Sequence, residues 1–224
     1  MSIIYNAAPV RDGLVFHLDA GNKKSYPGTG TTWTDISTTG ASATLTNGAV
    51  YSSSNAGVIS FDGIDDYVPL PSIVTTTLNT TNWSYSGFVM TNNNTVTGAF
   101  LGPKNLTKGR CCIAATWAGA GNISFANEMV ATVANTIMPL SNGVYLHICY
   151  TYGSGNLTTY KNGVLVGTTA YAFTGDCAGP YSLSGSNAGY VWNGNMGSFS
   201  VHNRTLSATE VMQQFNASRG RYGI

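Results

Sequence analysis

Few side chains in this sequence are placed to do chemistry. Glycoside hydrolysis needs two carboxylates held about 5–9.5 Å apart, yet there are only two glutamates, Glu128 and Glu210, far apart in the chain. The dense acidic group is Asp62, Asp65 and Asp66. Aspartates beside glycine in such a run make tight turns and cap loop amides; the other use of the three is as a candidate calcium cluster. His17, His147 and His202 are widely spaced and lie in strand-like runs, with no His-Glu-x-x-His or Cys-x-x-Cys spacing for zinc. His147 and Cys149 share a strand face, but no residue nearby would orient a base, so both are read as structural. Gly28-Thr29-Gly30 and Gly119-Ala120-Gly121 lack the helix and Lys-Ser/Thr of a phosphate loop. No catalytic residue, cofactor or enzymatic activity is expected.

Recognition needs different side chains. Sugars offer apolar C–H faces and many hydroxyls, which suit an aromatic plate beside amides or carboxylates. Trp117 with Asn122 is one candidate group, at the end of a strand and in a small-residue loop. Tyr190, Trp192 and Asn193 form a second, and Tyr171 with Asp176 a third. Each Trp has an alternative as a core residue, and Trp117 also as a subunit contact.

The elements that must position these groups are strands. Val58–Phe61 and Tyr67–Leu70 read as two short strands joined by a tight acidic turn. Gly13–Ala20, Trp83–Met90, Arg110–Thr116, Ile123–Ala126, Val144–Tyr152 and Asn195–Arg204 are further strands. In Leu157–Thr169, Asn162-Gly163 predicts a type I′ hairpin with Tyr160 opposite Leu165 and Thr159 opposite Val166. At the end, Ser207 and Glu210 make a capping box for a helix over Ala208–Asn216. The sum is an all-β, two-sheet antiparallel sandwich with one short C-terminal helix. Residues 1–12 are expected to be an arm and 13–224 a single domain.

Composition narrows the partners. Of 224 residues 43% are hydrophobic, but only 8% are charged, against about 25% ordinarily. A net charge of +1 supplies no basic footprint for nucleic acid, and no run approaches the ~20 apolar residues of a membrane span. The start, MSIIYNAAPVRDG, lacks a signal-peptide pattern, and the four cysteines form no disulfide framework.

Phe61-Asp62-Gly63 followed by Asp65-Asp66-Tyr67-Val68, the Tyr160-Lys161-Asn162-Gly163 turn, and the ending NRTLSATEVMQQFNASRGRYG together resemble laminin-G-like, concanavalin A-like jelly-roll domains. That ending, with the opening GLVFHLDAGNKKSYPGTGTTWTDIS, is similar to such domains in structural proteins of tailed bacteriophages. The resemblance implies a jelly roll that binds glycans more often than it cuts them. It also implies a virion decoration or appendage protein made in the host cytoplasm. Its partners would be bacterial surface glycans, other virion proteins and copies of itself in a homo-oligomer. Laminarinase-type relatives carry Glu-x-Asp-x-x-Glu on one strand, and that sequence is absent here. A glycan-degrading enzyme and a purely architectural subunit are the alternatives.

Overall fold

Strand Trp83–Thr91 sets the architecture, since all nine of its residues are buried. A strand buried on both faces must be central, and here it lies between Leu146–Gly153 and Asn193–His202, antiparallel to both. The computed structural model describes residues 8–96, 98–103, 112–115, 121–127, 131–133, 136–172, 180–185 and 190–224. Its main sheet runs Val164–Ala170, Asn156–Lys161, Leu146–Gly153, Trp83–Thr91, Asn193–His202, Val58–Asp62, Val50–Ser52, with Leu14–Asp19 also paired to Asn193–His202. Smaller sheets cover its inner face: Leu101–Pro103, Tyr181–Leu183 and Val68–Pro69 form one, and strands about Asn122–Asn127 another. The fold is the expected all-β jelly-roll sandwich.

Period-two alternation sorts the side chains. Trp83, Tyr85, Ile148, Tyr150, Phe199, Phe16 and Leu18 enter the core between the layers. There Trp83 stacks on Tyr85 and on Tyr152, at 5.6 Å in each case. The alternate residues Phe88, His147, Cys149, Ser200 and His202 are also buried, because a helix and the chain's first described residues cover that outer face. Val10 N–H donates to Gln214 at 2.9 Å, and Gln213 donates to the Ala8 carbonyl at 2.8 Å.

Several local expectations are refined. The acidic turn does not close a hairpin: Val58–Asp62 pairs within the main sheet, whereas Val68–Pro69 pairs with Tyr181–Leu183 in the opposite layer. The turn therefore carries the chain between layers. Asn162 (φ 51°) and Gly163 (φ 78°) make the predicted hairpin turn, with Tyr160 opposite Leu165. A bulge then sets Thr159 against Gly167 rather than Val166. Two α-helices are present among the described residues. Helix α1, Ser72–Leu78, was not foreseen from its Thr-rich sequence and is fixed by burial of Val74, Thr77 and Leu78. Helix α2, Ala208–Tyr222, starts at the expected capping box but runs past Asn216 to a left-handed Gly223. Its extra turns dock Tyr222 on Phe88 at 4.4 Å. No helix among the described residues is long and apolar enough to cross a membrane.

Candidate functional site

With both faces of the central strands covered, open polar surface lies at the rim. Where Trp83–Thr91 ends and Asn193–His202 begins, a cleft of about 110 Å³ is lined by Gly63, Thr91, Asn93, Val96 and Asn193, among others, with Trp192 at its base. The Asn193 carbonyl accepts from Asn92 N–H at 2.9 Å and from the Thr91 hydroxyl at 3.2 Å. Thr91 Oγ1 accepts from Asn93 N–H at 3.1 Å, and Asn93 Oδ1 from the Thr95 hydroxyl at 2.7 Å. These bonds fix the loop and use the backbone and acceptor groups. Neither the Asn193 amide nor Asn93 Nδ2 has a hydrogen-bond partner among the described residues. Gly63 (φ 80°) passes so close that a Cβ there would lie 2.7 Å from Asn193 Cβ, so only glycine fits.

The acidic turn adjoins this cleft through Gly63, and Asp62 is the register partner of Asn193. Oxygens of Asp62, Asp65 and Asp66 lie within 4.8 Å of one another. Their bonding is that of a turn: Asp66 Oδ2 accepts from Asp62 N–H at 2.9 Å, and Asp62 Oδ1 from Ile64 N–H at 2.7 Å. Asp66 is 2% exposed and its Oδ1 is buried without a hydrogen-bond partner. Burial, followed by repulsion from Asp62 and Asp65, raises its pKa above the usual carboxylate value. Calcium takes six to eight oxygens; the three carboxylates could supply part of such a set, the remainder coming from carbonyls and water.

The sequence candidates separate. Trp192 cannot be a sugar plate: it is 1% exposed and its indole donates to the Met90 carbonyl at 3.2 Å. It sits just before strand Asn193–His202 with its ring turned inward, beneath Asn193. Tyr190 is half-buried and packs on the core, its carbonyl accepting from Ala99 N–H at 2.8 Å. Tyr171 packs edge-on against Phe125 at 5.9 Å, within the core. Half-buried Asn122 follows Gly121, whose N–H donates to the Asn94 carbonyl at 2.6 Å, which brings Asn122 beside the cleft loop. Trp117 and Asp176 lie outside the described residues. Sequence reading missed Thr91 and Asn93; the signal was the amide-rich run Thr91-Asn92-Asn93-Asn94-Thr95 directly after a strand.

The buried nucleophile and base do not meet. His147 packs against Phe88 at 4.7 Å, and burial lowers its pKa to about 3. Cys149 sits among Val10, Tyr160, Leu206 and Val211, where burial raises the thiol pKa far above neutrality. A protonated thiol and a neutral imidazole in separate apolar clusters make no activated pair.

Solved structures share this fold. Domain 4 of an extracellular arabinanase from Geobacillus stearothermophilus, in complex with arabinotriose, superimposes with a TM-score of 0.71 at 16% identity, over 92% of this chain and 99% of that one. A structure of botulinum neurotoxin type C, whose cell entry depends on interaction with two ganglioside molecules, gives 0.67 at 15% over 93% and 52%. Trypanosoma rangeli sialidase with 2,3-difluorosialic acid gives 0.65 at 14% identity over 92% of this chain. The chain spans about a third of that sialidase's length. At these identities the likeness is one of fold. No curated protein matches the sequence significantly. The family model described as the concanavalin A-like lectin/glucanases superfamily, a laminin G type, matches residues 62–212, and the chain belongs to that family.

Proposed function

We propose that this chain is a non-enzymatic glycan-recognition module whose site is the rim cleft. The observation that carries the reading is that the whole Asn193 side-chain amide and Asn93 Nδ2 stand unengaged in one cleft. Asn193 presents two donors and an acceptor in a fixed plane and Asn93 Nδ2 adds further donors, a set that suits adjacent sugar hydroxyls. Val96, 55% exposed on the same cleft, supplies apolar surface for the C–H face of a ring. The low charge of the surface suits a neutral glycan. Hydrolysis is disfavoured because the Asp62 and Asp66 carboxylates already accept amides of their own turn. The glycans bound by the arabinanase domain and named for the neurotoxin agree with the class of ligand.

The wider setting we propose is a virion surface protein of a tailed phage, assembled with copies of itself. The resemblance of both ends of the sequence to phage structural proteins supports it, as does one feature of the sheet. Val164–Ala170 is an edge strand exposing Val164, Leu165 and Val166 at 61%, 56% and 41%. Natural edge strands are usually blunted with charge or covered, so this one suits a neighbouring subunit. Many copies would turn weak sugar contacts into avid binding.

Glycan-array retention, with and without calcium, tests the function. Retention on a sugar class that Asn193→Ala abolishes supports it; release of cleaved product would make the chain an enzyme. Leu165→Lys should dissociate an oligomer in sedimentation while leaving the monomer's sugar binding intact. An unchanged sedimentation coefficient would remove the edge strand from assembly.

A further inference from the structure

A larger cavity, of about 380 Å³, lies away from the cleft, where strand Leu14–Asp19 meets α2. Its polar lining is Arg11, His17, Asp19, Asn22, Ser218 and Arg221. The hydrogen-bond inventory of these groups is unbalanced. Asp19, the only carboxylate in the lining, accepts both its ion-pair bonds from Arg221 Nη1, at 2.8 and 3.0 Å, and a third from Gly21 N–H at 2.9 Å. The donors are not used up. Arg221 itself is committed, Nη1 to Asp19 and Nη2 to the Gly57 carbonyl at 3.4 Å, with its Nε buried. The exposed Arg11 guanidinium, the His17 ring and the Ser218 hydroxyl make no hydrogen bond to the described residues, although the His17 ring feels the charges of Asp19 and Asp35. Pro9, Leu14 and Ile36 add apolar wall. A cavity rich in donors and short of acceptors fits an oxyanion, and guanidinium groups recognise carboxylates through paired N–H bonds. The volume exceeds what a bare inorganic anion fills and falls in the ordinary range of about 300–1,000 Å³ for small organic ligands. Residues 1–7, MSIIYNA, contain no carboxylate side chain that could serve in its place.

We infer that this cavity is a second binding site, for a carboxylate-bearing molecule of monosaccharide size such as a sugar acid. The site shares no lining residue with the rim cleft and does not rest on it.

The test is an amide-detected NMR titration of the purified chain with sodium glucuronate, glucose and sodium acetate at matched ionic strength. Glucuronate should shift the amides of Arg11, His17, Asn22 and Ser218 and leave Asn93 and Asn193 in place, while glucose shifts none of the first group. Arg11 is exposed, so Arg11→Gln should fold normally; losing one charge-assisted contact should weaken glucuronate binding about tenfold, with glycan retention at the cleft unchanged. The inference is overturned if glucuronate shifts nothing at millimolar concentration, if glucose acts equally, or if Arg11→Gln binds as before. Acetate matching glucuronate would overturn the assignment to a sugar acid.

Discussion

On its inner face the main sheet presents Trp83, Tyr85, Tyr150 and Phe199, while the same three central strands present Ser86, His147 and Ser200 to the outer face. The inner set packs ring against ring, stacked for Trp83 on Tyr85 and tilted for Tyr85 against Tyr150 and Phe199, and is held by apolar area. In the outer set the Ser86 and Ser200 hydroxyls lie 2.9 Å apart and Gln214 of α2 reaches Ser200 at 3.3 Å, while the His147 ring packs on Phe88. All three histidines, His17, His147 and His202, fall on this outer side beneath α2 and the first described residues, and burial lowers the pKa of each. Both faces are spent on folding, which leaves recognition to the rim and the seam beside the helix.

The sharpest way to break this comparison is to truncate one residue on each face. Trp83→Ala should cost about 3–5 kcal/mol through its cavity, whereas Ser86→Ala should cost about 1 kcal/mol; urea midpoints compare them. Equal losses would erase the distinction.

Acid should act on the outer face alone. His147 and His202 titrate near pH 6.5 when unfolded and at about 3 and about 4 when folded. The folded state therefore prefers them neutral, and their contribution is full above pH 6.5 and falls as pH drops toward 4. The loss by pH 4 should be on the order of 3 kcal/mol for each of the two histidines. It starts above the range in which Glu210, held at about 2 by its Arg204 hydrogen bonds, begins to lose its own. His147→Phe should remove about half of the slope between pH 6.5 and 4.5, the rest belonging to His202, read by melting temperature.

A smaller effect belongs to the cap that anchors the outer layer. Ser207 Oγ accepts from Glu210 N–H at 3.3 Å, and Ser207→Ala should cost about 1 kcal/mol, loosening α2 before the inner core in hydrogen exchange. Asn193→Ala at the rim should change stability by less than about 0.5 kcal/mol and still remove glycan retention.

The features legible in sequence are local ones. Alternation marked the central strands, Asn162-Gly163 the hairpin, and Ser207 with Glu210 the start of α2, because each depends on neighbours a few residues away. Helix α1 was hidden because Ser-Ile-Val-Thr-Thr-Thr-Leu has poor helix propensity and is held by buried Val74 and Leu78. The crossing at Asp62–Asp66 depends on two strands more than a hundred residues downstream. Trp192 misled for a related reason: an aromatic at a strand's start reads the same whether it faces solvent or core. Its neighbour Asn193 was legible as an amide but not as half of a pair, since Asn93 meets it only through the fold.

Amide-resolved titration of the folded chain with a neutral glycan chosen from the array tests the central claim most directly. The account predicts shifts at Asn93, Thr91 and Asn193, abolished by Asn193→Ala with the melting temperature unchanged. Shifts confined elsewhere on the surface, or no retention of any glycan by a folded, multivalent sample, would contradict it.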